Sequence, residues 1–115
     1  MALIYKILRP AEWRPAQELG QLTGAPVDIA DGFIHLSTAA QVRETAARHF
    51  SGDAELVLLA IEPAGLSEAL KWEPSRGGDL FPHLYAALSL SHVAGIYRLS
   101  RGKDGTHQFP SETGI

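Results

Sequence analysis

The 115-residue chain has no cysteine, which excludes structural disulfides, thiolate zinc sites and a cysteine nucleophile. It also has no basic excess, because 10 lysine and arginine residues face 13 aspartate and glutamate residues, for a net charge of −3. A protein that binds nucleic acid through its phosphates needs a basic face, so we do not expect nucleic acid as a partner.

Signals for a membrane or an export pathway are missing as well. No apolar run reaches the roughly 18–20 residues of a membrane span. The first residues, MALIYKI, lack the basic and apolar regions of a signal peptide and are more typical of a first strand. We therefore expect a cytoplasmic protein with no membrane partner.

Several common site signatures are also missing. The sequence contains neither GxGxxG nor GxxxxGK[ST], and it has no GxSxG nucleophile elbow. No HxH or HExxH pair occurs among the five histidines, so we expect no metal. Any chemistry must come from a less standard arrangement of side chains.

The composition is that of an ordinary globular domain, with 45% apolar and 20% charged residues. The length predicts a single domain, placed at residues 1–110, and a frayed C-terminal tail at residues 111–115. The pattern of apolar residues predicts about five strands and two helices in mixed order. We expect an α+β fold.

Two elements carry the clearest signals. The run LVLLAI at residues 56–61 is continuous and apolar, which favours a strand buried on both faces. Residues 38–50 show helical spacing of Val42, Ala46 and Phe50, and Thr38 with Gln41 matches a capping box at the start. A loop is expected over residues 24–26, and residues 84–90 fit either a strand or a helix. The aspartates at positions 28, 31 and 79 are interpreted as turn residues.

Residues capable of chemistry concentrate in two runs, DGFIHLST at 31–38 and WEPSRGGDLFPHLY at 72–85. Each run places a histidine beside the end of an apolar stretch, where a rigid scaffold can aim a side chain. If the two runs meet in space, they form one site.

The first run offers an imidazole and two hydroxyls. His35 lies between Ile34 and Leu36, so in a strand it faces away from both. It is either a site residue or a histidine at the core edge that bonds to the backbone. Ser37 and Thr38, before the predicted helix, either cap it or bind an anion at its N-terminus.

The second run offers a second imidazole and charged groups. His83 and Tyr85 share a side if this segment is a strand, and they are either a ligand-binding pair or a buried aromatic corner. Glu73 and Arg76 form either a solvated ion pair or a phosphate contact, in which Gly77-Gly78 lets the ligand approach the backbone.

The runs GAPVDIADGFIHLSTAAQVRETAARHF and WEPSRGGDLFPHLY closely resemble the small bacterial proteins of domain-of-unknown-function family 952. The resemblance covers residues 4 to about 110. That family is grouped with the ADP-ribosyltransferase-like superfamily, and its nearest functional analogy is the RNA 2′-phosphotransferases. The resemblance thus implies an ADP-ribosyltransferase-like fold, a compact mixed split sheet with two or three short helices. Its cleft would bind NAD or a related nucleotide.

The resemblance also implies residue roles. His35 would grip the NAD ribose, and Glu73 or His83 would stabilise a cation or the acceptor. Tyr85 or Trp72 would frame the nicotinamide. The diphosphate would meet Arg76 and the helix start after Ser37 and Thr38.

Three interpretations of function stay open. The chain is an NAD-dependent ADP-ribosyl- or phospho-transferase-like enzyme, a non-catalytic small-ligand binding module, or an interaction domain in which both runs only stabilise loops. The sequence favours no particular acceptor or oligomeric state. A nucleotide-like small molecule is the expected partner.

Overall fold

The structure is a computed structural model, which describes residues 2–115 apart from the Arg76 side chain. The helices of this part of the chain are α1 Pro10–Leu19, α2 Pro26–Asp31 and α3 Val42–His49. Its strands are β1 Ile4–Leu8, β2 Gln21–Leu22, β3 Ile34–His35, β4 Ser37–Thr38, β5 Glu55–Ile61, β6 Leu70–Pro74, β7 Leu80–Leu84, β8 Leu88–Ser89, β9 Val93–Arg101 and β10 His107–Gln108.

The strands divide into three sheets, with orders β10-β9-β5-β1-β4, β2-β8 and β3-β7-β6. The α+β prediction is confirmed. Every pairing among the described residues is antiparallel, so the expectation of a mixed sheet is wrong in that respect. Short turns join β6 to β7 and β9 to β10, which antiparallel pairing allows and parallel pairing does not.

β5 lies between β1 and β9 at the centre of the largest sheet, and its residues from Leu56 to Ile61 are all buried. Its side chains alternate between two apolar clusters, one containing Val57 and Leu59 and the other containing Leu56 and Leu58. α3 packs Val42 and Ala46 into the second cluster, with Phe50 against it. Both predictions for this region, the doubly buried strand and the apolar helix face, are confirmed.

α3 begins at Val42, not at Thr38 as the spacing predicts. The residues between them form a turn, in which the Gln41 N–H donates to the Thr38 carbonyl at 3.1 Å. The Gln41 side chain accepts from the Thr38 N–H at 3.0 Å, so one half of the expected capping box is present. Thr38 itself pairs with Ile4 as part of β4. Ser37 and Thr38 therefore do not stand at a helix N-terminus.

A short helix, α2, occupies residues expected to be loop and turn. Pro26 begins it, and Gly32 ends it in the left-handed conformation at φ 86°. The Asp28 carboxylate accepts from the Ala25 N–H at 2.8 Å, which caps the helix start. Asp28 lies within this helix and is only 1% exposed, so its interpretation as a turn residue is wrong.

Two remaining segments are residues 84–90 and the C-terminal tail. The ambiguous residues 84–90 contain the end of β7 and the short strand β8, with no α-helix. The last five residues, expected to fray, include a 3-10 turn at Ser111–Thr113. Thr113 is buried and its carbonyl accepts from the Tyr5 hydroxyl at 3.4 Å, while Ile115 packs against the core.

Candidate functional site

The two histidine runs meet in space. β3 pairs with β7 so that His35 lies directly opposite His83. The ring centroids are 5.7 Å apart, with an edge-on angle of 66° between the planes. The neighbouring pair, Ile34 and Leu84, is buried in the core. Because side chains alternate along a strand, burial of that pair turns both imidazoles to the other face of the sheet.

Phe33 joins the rings into one aromatic cluster. Its ring stacks on the His83 ring with centroids 4.1 Å apart. The Phe33 centroid also lies 4.5 Å from the centroid of the His35 ring and 5.2 Å from that of the Tyr85 ring. Such packing orients the imidazoles as well as burying apolar surface. We call Phe33, His35, His83 and Tyr85 the aromatic cluster.

Both ring nitrogens of His35 face carboxylates. Nδ1 lies 2.7 Å from Asp28 Oδ1, and Nε2 lies 2.9 Å from Asp31 Oδ2. A carboxylate only accepts, so both contacts are hydrogen bonds together only when both nitrogens carry a proton. The His35 side chain is 35% exposed, so the ring lies at the edge of the cluster.

The Asp28 carboxylate accepts hydrogen bonds from several groups. Besides Ala25 and the His35 ring, it accepts from the His35 N–H at 3.1 Å and from Lys6 Nζ at 2.8 Å. Burial alone would raise the pKa of Asp28, but the hydrogen bond from His35 and the charge of Lys6 hold it well below its usual range. Burial lowers the pKa of Lys6, against the opposing effect of Asp28. The buried ion pair of Lys6 and Asp28 thus lies directly beneath the partly exposed imidazole of His35.

His83 belongs to a second hydrogen-bonded group. Its Nδ1 lies 2.8 Å from Glu73 Oε1, and the Tyr85 hydroxyl donates to the same oxygen at 2.8 Å. These hydrogen bonds from His83 and Tyr85 lower the pKa of Glu73. The hydrogen bond to Glu73 raises the pKa of the Tyr85 hydroxyl. When His83 donates its Nδ1–H to Glu73 and carries no second proton, the lone pair of the ring is on Nε2, where a base needs it.

The sequence-predicted site residues separate into two groups. His35, His83, Glu73 and Tyr85 come together in and around the aromatic cluster. Trp72 and Thr38 line a cleft of about 680 Å³ instead, together with Tyr5, Leu70 and others. Side chains alternate along β6, so Trp72 faces away from the side that carries Glu73.

Two predicted residues have other positions. Ser37 is buried, and its hydroxyl lies 3.0 Å from the hydroxyl of Thr45 on α3. Arg76 lies on the 3-10 turn between β6 and β7, and its side chain is outside the described part of the structure. Its proposed phosphate contact stays a prediction.

Sequence reasoning missed Lys6, Asp28, Asp31 and Phe33 as parts of the site. One signal was available for Lys6, which stands in an otherwise apolar strand, IYKIL, buried at every position. Lysine is almost never fully buried without a partner, so a buried carboxylate was to be expected nearby. Nothing local identifies Asp28 as that partner, since 22 residues separate the two.

Among the described residues, no three or more histidine, aspartate or glutamate side chains are grouped so that they could hold a metal ion. No helix in the same part of the chain is long and apolar enough to cross a membrane.

The fold and the cluster define a small α+β domain with antiparallel sheets and a site of two histidines, each bonded to a carboxylate. His35 is partly exposed in this site, and His83 is buried. The chain belongs to the family described as "Protein of unknown function (DUF952)", whose profile matches residues 7–96. The family resemblance predicted from the two runs is thereby confirmed. No curated protein matches the chain.

Solved structures of CC0527 from Caulobacter crescentus are similar over nearly the whole chain. Its X-ray structure is 51% identical, covers 98% of this chain and 99% of that one, and has a TM-score of 0.92. The solution NMR structure of CC0527 is 53% identical, covers 97% of each chain, and has a TM-score of 0.85. The likeness extends to both runs that carry the site.

Proposed function

We propose that the aromatic cluster binds a nucleotide, NAD in the first instance, and that the protein is an NAD-dependent transferase with an ADP-ribosyltransferase-like fold. The observation that carries the proposal is the Glu73 carboxylate, held by His83 and Tyr85 beside stacked aromatic rings. The proposal of this fold rests on the grouping of family 952 with the superfamily, and the division of the strands into separate sheets fits a split sheet.

The chemistry of NAD suits these groups. Its nicotinamide is a planar cationic ring, which aromatic faces and a nearby carboxylate attract. Transfer breaks the bond between nicotinamide and ribose, and the bonding electrons leave with nicotinamide. The ribose then has oxocarbenium character, as in glycoside cleavage. An ionised Glu73 would stabilise that positive charge, and its lowered pKa keeps it ionised at neutral pH.

The imidazoles would take separate roles. His83 Nε2 would accept the proton of the acceptor nucleophile as that nucleophile bonds to the ribose carbon. His35, with its protons directed at carboxylates, would donate to the ribose or the diphosphate of the ligand. Arg76 on the adjacent turn is the proposed second contact for the diphosphate.

Calorimetric titration with NAD and with ADP-ribose at millimolar concentration tests binding, and nicotinamide release in the same preparations tests turnover. Glu73→Gln is expected to retain binding and lose most nicotinamide release, because it removes charge stabilisation with little change of shape. Glu55→Gln is the control, since Glu55 forms an exposed ion pair with Arg98 on β9. No binding heat with either ligand would remove the nucleotide proposal altogether.

The cleft beside Trp72 favours a second candidate, non-catalytic binding of a small apolar ligand. Its volume of about 680 Å³ is that of a ligand pocket, and its lining includes Leu3, Leu70 and Trp72. A ligand in this cleft would change the Trp72 fluorescence without any nicotinamide release. Trp72→Leu would abolish such binding and leave NAD binding at the aromatic cluster unchanged.

A further inference from the structure

We propose that Asp28 and Lys6 are positioning residues, which hold the His35 imidazole at a fixed angle with its proton on Nδ1. In that role they present Nε2 to the ligand. The inference rests on the proposed function, since it concerns how His35 meets a ligand. Its main test observes the ring directly and does not require ligand.

Asp28 has the geometry of a fixed anchor. Its Oδ1 accepts from both the backbone N–H and the ring Nδ1 of His35, at 3.1 and 2.7 Å. Its Oδ2 accepts from the Ala25 N–H and from Lys6 Nζ, both at 2.8 Å. Two contacts to one residue define the position of the ring relative to its own backbone. Since the carboxylate only accepts, the proton of this contact must lie on Nδ1.

Lys6 supports the anchor from β1. Its ammonium compensates the buried charge of Asp28 and also donates to the His35 carbonyl oxygen at 3.1 Å. The side chain is 5% exposed, so water cannot replace it. One ammonium therefore connects three elements, β1, α2 and β3, at the point where the imidazole leaves the sheet.

Asp31, the second carboxylate that faces His35, differs from Asp28 in its exposure to solvent. Its side chain is 48% exposed, whereas that of Asp28 is 1% exposed. A half-exposed side chain can move aside into water when a ligand arrives. A buried charge cannot, because it would lose its compensating partners. Nε2 is thus the nitrogen open to exchange of partners, and Nδ1 is the nitrogen that stays bound.

The test is NMR of protein carrying 15N-labelled histidine. Around neutral pH the wild type is expected to show His35 Nδ1 as a protonated nitrogen, with a downfield proton that exchanges slowly. Asp28→Asn is expected to lose this signal, because donors approach both oxygens of the carboxylate. An amide can accept only with its oxygen, and its NH2 group would repel the donors on the other side. Asp31→Asn is the matched control and should retain it. A pyridine-like shift of Nδ1 in the wild type would overturn the proposal without recourse to any variant.

The double variant Lys6→Met with Asp28→Leu covers the case in which Asp28→Asn does not fold. It removes both charges together and leaves apolar groups of similar size. We expect it to fold and to lack the Nδ1 proton signal. Persistence of that signal in the folded double variant would contradict the positioning role.

A binding measurement separates this inference from the proposed function. Asp28→Asn is expected to weaken NAD binding by about tenfold, as loss of a hydrogen bond to a charged group does, while Asp31→Asn does not weaken it. If the wild type bound no NAD, the proposed function would fail, and the ring signal would still decide whether Asp28 positions His35. Equal weakening by the two variants would overturn the distinction between the two carboxylates.

Discussion

His35 and His83 face one another across a single antiparallel strand pair, with ring centroids 5.7 Å apart, although they lie far apart in the chain. Each imidazole has its own carboxylate on Nδ1, from Asp28 in one case and Glu73 in the other. The site therefore consists of two similar histidine–carboxylate pairs in different surroundings. One carboxylate is buried and charge-compensated, and the other lies at the surface beside a tyrosine.

The first prediction concerns the core. Leu58 is fully buried on β5, so Leu58→Ala should lower the free energy of unfolding by about 2–4 kcal/mol through lost contacts and a cavity. Ile96→Ala on the adjacent β9 is the control, because Ile96 is 56% exposed. Chemical denaturation of both variants gives the comparison. Equal midpoints for Leu58→Ala and the wild type would contradict the placement of β5 at the centre of the core.

The second prediction concerns the pH dependence of stability. The folded-state pKa of Asp28 lies below the unfolded value of about 3.9, so the folded state binds fewer protons in acid. The stabilisation from Asp28 is complete above that unfolded value and is lost as pH falls through the lower folded-state value. Asp28→Asn should be less stable than the wild type at neutral pH, and the difference should shrink in acid.

Denaturation at a series of pH values measures this effect. Glu55→Gln, in the exposed pair with Arg98, is expected to follow the wild-type profile closely, because such pairs contribute about 0–1 kcal/mol. A difference between wild type and Asp28→Asn that stayed constant from neutral to acid pH would show that the Asp28 charge is not the source of stability.

The third prediction concerns Tyr85. Its hydroxyl donates to Glu73, and ionisation would place two negative charges together, which raises the pKa of Tyr85. Glu73→Gln should lower the pKa of Tyr85 toward the ordinary value of about 10. Ultraviolet titration of phenolate absorbance, with Tyr85→Phe to assign the signal, measures it. An unchanged titration in Glu73→Gln would mean that the hydrogen bond does not form in solution.

The fourth prediction concerns the loop before α2. Gly24 has φ 131°, and a Cβ there would approach the Asp28 Cβ to 2.9 Å. Gly24→Ala should destabilise the fold by about 1–3 kcal/mol through backbone strain, and it should displace Asp28 as well. Gly52→Ala is the matched control, because a Cβ at Gly52 meets no atom within 4 Å. If thermal unfolding showed equal losses for the two variants, the close packing of Gly24 on Asp28 would be wrong.

Periodicity and composition predicted the parts of the fold that depend on local apolar pattern. The run LVLLAI identified β5, and the spacing of Val42, Ala46 and Phe50 identified the buried face of α3. The density of polar and aromatic residues in the two runs also identified His35, His83, Glu73 and Tyr85, which the structure brings together.

The parts that were missed depend on contacts between distant residues. α2 is only six residues long, and a segment that short has little helical stability of its own. It is held by Asp28, whose charge is compensated by Lys6 from another element. The start of α3 was placed four residues early because Gln41 does bond to the Thr38 N–H, but with Thr38 in a strand. The local sequence pattern determines neither the ion pair that holds α2 nor the place of Thr38 in a strand.

The β3–β7 register makes assembly of the site and burial of the core a single event. The side-chain period along a strand is two, so a slip of β3 by one residue would turn the His35 imidazole inward and expose Ile34, while β7 would keep His83 in place. Such a chain would lose Ile34 from the main apolar cluster and would be less stable than the native one. The free energy that holds Ile34 in the core therefore also holds the two imidazoles opposite each other.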